Sequence, residues 1–228
     1  MTPLHLYGVL DADAEPAPST RGLDGRAVRV LSLGARCAWV SDVAESRLEA
    51  TPQRLREHDA VLRAAVAAGY SVVPSLFGRL HADDAALTAA LDTAMALVRG
   101  RVEMSLLVAP SGAPAASEPD RSLATRGPGH EHLRRIQVQM HRERILRASA
   151  TELGQSATRV LRGIFVAERV VENPTPPVLM ARAHLVARDD IARYLPAVKM
   201  LAASAGPDLR VVVRGPGAAY SFAAVQID

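Results

Sequence analysis

A proline- and glycine-rich stretch near the middle of the chain is the feature that most constrains how these 228 residues can fold. Residues 110–129 contain four prolines and three glycines, with serine, alanine and charged residues between them. Neither a two-residue nor a 3.6-residue apolar period runs through this stretch. We interpret residues 111–128 as a linker between an N-terminal domain, residues 1–110, and a C-terminal domain, residues 129–228.

The composition allows a packed core, because 49% of the residues are hydrophobic. Cys37 is the only cysteine, so no internal disulfide can form, and its apolar neighbours predict a small buried side chain. Every apolar run is shorter than the ~20 residues that cross a bilayer. The first residues also lack a basic leader ahead of a long apolar run, so we expect a cytoplasmic protein that neither enters a lipid membrane nor is secreted.

Apolar patterning predicts strands and helices in the N-terminal half. Thr51 and Pro52 have the chemistry of a helix N-cap and first helical residue, and Gly69 has that of a helix end. A second helix is expected after Asp83 or Asp84. The predicted strands are Leu4–Leu10, Ala27–Leu33, Cys37–Val43, Ser71–Pro74 and Val102–Ala109.

The C-terminal half is predicted to begin with a long polar helix from about His130 to Leu153. Its apolar seam is narrow and consists of Leu133, Ile136 and Met140. A second helix is expected after Asp189 or Asp190. The predicted strands are Arg162–Val171, Val178–Ala187, Leu209–Arg214 and Tyr220–Ile227.

The order of these elements favours an α+β fold. Strands and helices alternate irregularly and include hairpins, which is typical of antiparallel sheets and unlike a doubly wound parallel sheet. Each half has about the elements of a split β-α-β unit. We therefore predict two ferredoxin-like α/β modules with mainly antiparallel sheets, joined by the Pro/Gly-rich linker.

The sequence predicts no catalytic, cofactor-binding or metal site. His130 and His132 lie about 200° apart on a helix and cannot share one ion, and His58 falls on an apolar helix face where a core histidine is the simpler interpretation. The Asp83-Asp84 and Asp189-Asp190 pairs are explained as helix caps. No Gly-rich phosphate loop, nucleophile elbow or C-x-x-C is present. An enzyme that uses these histidines and aspartates is the alternative.

Several side chains are candidates for binding another protein. Arg134 and Arg135 begin a basic helix segment, which is either a solvated face or a docking surface. Tyr220 and Phe222 would leave one face of a strand, either as a core pair or as an exposed anchor. The candidate partner-binding residues are Tyr220, Phe222, Phe77, Leu133, Ile136, Met140, Arg134 and Arg135. A net charge of +3 and few aromatic residues do not call for a nucleic-acid partner.

Short motifs in a consistent order resemble the family of gas vesicle proteins F and L (GvpF/GvpL). The matching segments are Leu6-Tyr7-Gly8-Val9, Val40-Ser41-Asp42-Val43, Val73-Pro74 with Phe77-Gly78, Gly100 with Val102-Glu103, and Gly215-Pro216 with Tyr220-Ser221-Phe222. His132 stands where this family usually has tyrosine, Gly217 where it has an aromatic residue, and Ala218-Ala219 where it has prolines.

The resemblance implies a two-domain α+β protein that takes part in forming gas vesicles. It implies no enzymatic activity and no cofactor. The expected partners are the vesicle shell protein and other vesicle accessory proteins, and the expected locations are the gas vesicle and the cytoplasm. F-like and L-like roles are both left open. The alternative is a ferredoxin-like small-ligand-binding or regulatory protein unrelated to gas vesicles.

Overall fold

Two four-stranded antiparallel sheets form the framework of the chain in a computed structural model. The structure describes residues 3–11, 14–45, 48–77, 85–112 and 128–223. The strands are β1 (Leu4–Asp11), β2 (Arg29–Leu33), β3 (Arg36–Asp42), β4 (Val72–Pro74), β5 (Arg101–Pro110), β6 (Phe165–Val171), β7 (Met180–Ala187) and β8 (Leu209–Gly217). The helices are α1 (Pro52–Ala67), α2 (Ala85–Val98), α3 (Pro128–Val160), α4 (Ile191–Ser204) and α5 (Tyr220–Ala223). The predicted α+β class with antiparallel sheets is confirmed.

The second sheet has the strand order β6-β7-β5-β8 and the element order β5-α3-β6-β7-α4-β8, which is the ferredoxin-like arrangement. Alternate residues of β5 are buried, including Met104 and Leu106. The same core contains Leu153 from the C-terminal half of α3 and Tyr194 from α4. The two helices therefore cover one face of this sheet.

The first sheet has the equivalent order, β2-β3-β1-β4, but a loop replaces the first helix. Leu23 in a short 3-10 turn and Ala14 are fully buried in the core beside Tyr7 and Trp39. Trp39 Nε1 donates to the Ala14 carbonyl at 2.8 Å, and the Tyr7 hydroxyl accepts from the Leu23 amide at 2.8 Å. These bonds hold the loop against the sheet.

Helix α1 begins where its capping residues predict. The Thr51 side chain accepts from the Arg54 amide at 3.2 Å, Pro52 is the first helical residue, and Gly69 after the helix has φ +93°. Leu62 and its apolar neighbours Val61, Ala65 and Val66 are buried. Leu55 is the exception, since 44% of it is exposed.

Strand β5 belongs to the second sheet, which the predicted domain division does not anticipate. The predicted division after residue 110 assigns this strand to the N-terminal domain, yet it hydrogen-bonds to β7 and β8 in the second sheet. An alternating apolar pattern predicts a strand but not the strands that it pairs with, so the sequence could not show to which sheet β5 belongs. Residues 113–127 of the predicted linker lie outside the described residues, and their flanking elements, β5 and α3, both belong to the second sheet's unit.

Polar contacts reinforce the junction between the first-sheet unit and the second-sheet unit. The Arg188 guanidinium donates to the carbonyls of Val66 at 3.0 Å and Tyr70 at 2.7 Å, at the C-terminal end of α1. Arg99 and Asp11 form an ion pair at 2.6 Å. Since one hydrophobic core also continues from the first sheet to the second, the two sheets are held together by packing and by these bonds.

We expect Arg188→Ala to lower the free energy of unfolding by about 2–3 kcal/mol, because two carbonyls at the junction would lose a charged donor. Urea unfolding followed by circular dichroism measures the change. Arg169→Ala on the exposed part of β6 is the matched control and should change stability by less than about 0.5 kcal/mol. Equal effects of the two variants would contradict the role given to Arg188.

Candidate interaction surface

The N-terminal half of α3 carries an open apolar seam. Every side chain from Leu133 to Ile145 is exposed, a length of about 20 Å along the helix axis. Leu133, Ile136 and Met140 are exposed by 60%, 40% and 65%, and their i, i+3, i+7 spacing places them on one face. We call these three residues the α3 seam. The spacing was recognised in the sequence, and the structure leaves the seam uncovered by the described residues.

Arginines extend the same helix face beyond the α3 seam. Arg144 and Arg147 follow Met140 by four and seven residues, so they continue its stripe toward the C-terminus. Arg147 pairs with Glu143 at 2.7 Å. Arg134 and Arg135, the two arginines singled out in the sequence, are exposed but lie about 100° and 200° around the helix from Leu133. They therefore lie toward the opposite side of the helix and do not continue the seam.

The predicted strand Tyr220–Ile227 is wrong over the residues that the structure describes, because Tyr220–Ala223 form the short helix α5. The Glu103 carboxylate accepts from the Ser221 amide at 2.7 Å and from its hydroxyl at 2.9 Å. These bonds satisfy donors at the start of a helix, which alternating apolar residues alone do not report. Residues 224–227 lie outside the described part of the chain.

The helical geometry sends the two candidate aromatic rings to different places. Tyr220 packs against the larger core, 6.5 Å from the His58 ring between centroids, and Phe222 packs against a second cluster that includes Leu6 and Leu185. Both rings are half-buried. Their roles as partner contacts stay a prediction, and their present contacts are within the chain itself.

Phe77 lies beside a buried pair of histidines. Its ring centroid is 5.2 Å from that of His5 and 5.8 Å from that of His58. Phe77 is half-buried, so it serves the core in this conformation, and Gly78 after it lies outside the described residues. Its role as a partner contact stays a prediction.

The histidine pair consists of His5 and His58, both almost fully buried. The Ser75 carbonyl can only accept, so His58 Nε2–H donates to it at 3.1 Å, and His58 Nδ1 accepts from His5 Nε2–H at 2.8 Å. Burial lowers the pKa of His5 to about 3 and that of His58 to about 4, and in His5 the neighbouring His58 adds to the effect. The interpretation of His58 as a core histidine is confirmed. His5 was missed, because it occupies one position of an otherwise apolar strand.

A second polar cluster surrounds His184, which the sequence analysis also missed. His184 Nδ1 accepts from the Tyr194 hydroxyl at 2.7 Å, and its Nε2–H donates to Glu168 at 3.2 Å. Arg182 donates to the same carboxylate at 2.8 Å. Burial lowers the pKa of His184 even though Glu168 acts to raise it. Because His184 and Tyr194 are fully buried, this cluster ties β6, β7 and α4 together and offers no open reactive group.

Other polar candidates do not converge on a site. Within the described residues, no group of three or more His, Cys, Asp or Glu side chains could hold a metal ion. The side chains of His130 and His132, and the whole of Asp83 and Asp84, lie outside the described part. Asp190 precedes α4 but makes no capping bond and pairs instead with Arg193 at 2.7 Å, so the cap predicted there is absent.

Comparison with known proteins decides the family. The family model for gas vesicle synthesis protein GvpL/GvpF matches residues 3–224 of the chain. The chain belongs to the GvpL/GvpF family. Two solved structures share the fold of this family member: the gas vesicle proteins GvpF from Anabaena sp. PCC7120 and from Microcystis aeruginosa. Each has a TM-score of 0.74 and 18% identity; the alignments cover 100% and 99% of this chain and 100% of each GvpF chain. A search of curated proteins found no match.

Membership of the GvpL/GvpF family removes the alternative of a regulatory protein unrelated to gas vesicles. The prediction that this GvpL/GvpF protein is not an enzyme agrees with a family described by vesicle synthesis. No helix in the described ranges is both long and apolar enough to cross a membrane. Among the described residues the α3 seam is one exposed apolar surface, and the edge strands β2 and β6 carry others: Val30, Leu31 and Leu33, and Val166, Val170 and Val171.

Proposed function

We propose that this GvpL/GvpF protein is a non-catalytic accessory or minor structural protein of gas vesicles, which binds the vesicle shell protein and other vesicle proteins. The family match supports a role in gas vesicle synthesis, and the proposed locations are the vesicle and the surrounding cytoplasm. The observation that carries the binding role is the α3 seam, an exposed apolar stripe on a helical segment, residues 133–145, whose other exposed residues are mostly polar, with Val138 and Ile145 as the exceptions.

The size and surroundings of the α3 seam suit a transient partner. A shell subunit with a hydrophobic face is prone to aggregate until it is incorporated into a polymer. An accessory protein that covers such a face needs an apolar strip with a polar rim and has to release it again. Three apolar side chains, with glutamines beside them and arginines farther along the same face, provide such a strip without a large exposed hydrophobic patch.

We expect the triple variant Leu133→Ser, Ile136→Ser, Met140→Ser to capture at least about tenfold less shell protein than the wild type, because three apolar contacts would be lost. Immobilised full-length protein and an extract of vesicle-forming cells provide the assay, with the shell protein quantified by mass spectrometry. The three side chains are exposed, so the free energy of unfolding should change little.

The matched control is Met200→Ser on α4, because Met200 is 75% exposed and lies outside the seam. It should capture as much shell protein as the wild type. The same variants in a host that lacks its own copy of the gene should show whether vesicles form, through light scattering that disappears under pressure. Undiminished capture by the triple variant would remove the seam from the proposed function.

A further inference from the structure

We propose that the partner segment received by the α3 seam is an acidic amphipathic helix of another protein. Its apolar residues would lie on Leu133, Ile136 and Met140, and its carboxylates would meet Arg144 and Arg147. This inference rests on the proposed function and specifies the chemistry of the bound segment.

The order of side chains along one helix face supports a helical partner. The α3 seam spans about 10 Å, and the two arginines extend the same face by about another 10 Å. A helix laid along α3 could place residues at i, i+3 and i+7 against the seam. Its next turns would then face the guanidinium groups of Arg144 and Arg147. Apolar contacts at one end and ion pairs at the other would also set the direction of the bound helix.

Charge decides between an acidic partner and a second copy of this chain. From Leu133 to Ile145 and on to Arg147, the helix contains five arginines and one glutamate. Two such helices side by side would repel each other, whereas an acidic helix would be attracted. Glu143 already pairs with Arg147. In the described part of the chain no carboxylate lies within ion-pair distance of Arg144, which is therefore available to a partner's carboxylate.

The shape of this surface argues against lipid and nucleic acid. A helix that lies on a bilayer needs a broad apolar face, usually with aromatic residues. The α3 seam is one side chain wide, and the other exposed apolar residues of this segment, Val138 and Ile145, lie off the seam among polar side chains such as Gln139 and Arg142, so they do not widen it into a broad face. A phosphate backbone would pair with the arginines but would leave Met140 and Leu133 uncovered. A protein helix satisfies both the apolar and the cationic end of the face.

Two synthetic helical peptides of about 20 residues test the proposal. They have the same leucine spacing, but one carries glutamate and the other lysine at the charged positions. We expect the full-length protein to bind the glutamate peptide at least about tenfold more tightly, as measured by fluorescence anisotropy, and the difference to shrink as salt is added. The Arg144→Glu, Arg147→Glu variant should reverse this preference. Lys199→Glu, Met200→Ser on α4 is the matched control and should preserve it.

Several outcomes would overturn the proposal. These are equal binding of the two peptides, an unchanged preference in Arg144→Glu, Arg147→Glu, or tighter binding to anionic lipid vesicles or duplex DNA than to the glutamate peptide. Self-association through the seam, seen by sedimentation and lost in the triple serine variant, would also overturn it.

Shell-protein capture separates this proposal from the proposed function. If the wild type and Arg144→Glu, Arg147→Glu capture the shell protein equally well, the acidic-helix inference fails and the proposed function stands. If the wild type captures no vesicle protein but prefers the glutamate peptide, the proposed function fails and the inference stands.

Discussion

Replacing Gly215 with alanine is expected to lower the free energy of unfolding by about 2–6 kcal/mol, a large part of the stability of an ordinary domain. Gly215 has φ +119°, a backbone conformation that is nearly exclusive to glycine. A Cβ added there would lie 2.6 Å from the Glu103 carbonyl oxygen and 2.9 Å from Met104 Sδ. Strain and overlap therefore act together.

The overlap at Gly215 is hard to relieve because the atoms in contact belong to β5, the strand between β7 and β8. The pairing of β5 with β8 is irregular between Glu103 and Ser105, and Gly215 lies close to this irregularity. Shifting the backbone of Glu103 would also disturb its carboxylate, which holds the start of α5. A local change would then spread to the contacts of Tyr220.

Thermal and urea unfolding of Gly215→Ala measure this effect, and Gly163→Ala is the matched control. Gly163 also has a positive φ, +80°, but a Cβ there would meet nothing within 4 Å. The control isolates backbone strain, which costs about 1–2 kcal/mol. Equal losses in the two variants would show that contact with β5 adds nothing.

Acid is expected to destabilise the protein steeply below pH 6.5, because of the buried histidine pair. In the folded state the pKa of His5 is about 3 and that of His58 about 4, against an ordinary value of 6.5. As pH falls from 6.5, the unfolded chain binds protons that the folded chain does not, so stability is lost. Each histidine contributes about 1.4 kcal/mol per pH unit in this window. Together the two histidines should lower the free energy of unfolding by about 5 kcal/mol between pH 6 and pH 4.

Protonation of the His5–His58 pair is unfavourable because the pair is buried and also because of its hydrogen-bond geometry. His58 Nδ1 accepts a hydrogen bond from His5, and a proton on that nitrogen would put two donors 2.8 Å apart. The groups that face the pair are the Ser75 carbonyl and the rings of Tyr7, Phe77 and Tyr220, none of which supplies a negative charge in direct contact. Asp59 acts on His58 only as a small raising influence on its pKa.

The variant His58→Gln tests the histidine pair directly. A glutamine amide can donate to the Ser75 carbonyl and accept from His5, but it does not titrate. The pair's contribution to the pH dependence of unfolding free energy should therefore fall by about half. His184, whose pKa is also lowered by burial, adds a slope of the same sign in every variant. His141→Gln on the exposed part of α3 is the matched control, because it keeps both histidines of the pair. If the unfolding free energy of His58→Gln depended on pH as steeply as that of the wild type, the role given to the pair would be contradicted.

Local chemistry made part of the fold predictable from sequence. The Thr51-Pro52 start of α1 and the hairpin formed by β2 and β3 depend on neighbours in the sequence, and both were found where expected. The partners of β5 and the short helix α5 depend on contacts more than 70 residues away, such as the Glu103–Ser221 bonds. No apolar period can report these contacts.

The candidate site was predictable to a similar extent. Helical spacing identified the α3 seam, but it could not show that Leu133, Ile136 and Met140 would be exposed while Leu153 on the same helix is buried. That difference arises because the second half of α3 lies over the sheet and the first half does not. Likewise, the pairing of His5 with His58 joins residues 53 positions apart and needs the folded sheet.

The position of β5 affects any attempt to map partners with fragments of this protein. Only Arg99 and Gly100 separate α2 from β5, so a cut at residue 110 leaves an inner strand of the second sheet on the wrong piece. A fragment that starts at residue 111 or 129 would expose the unpaired edges of β7 and β8. Such edges pair readily with other chains. Binding or aggregation of that fragment would therefore result from the missing strand and would not identify a physiological contact.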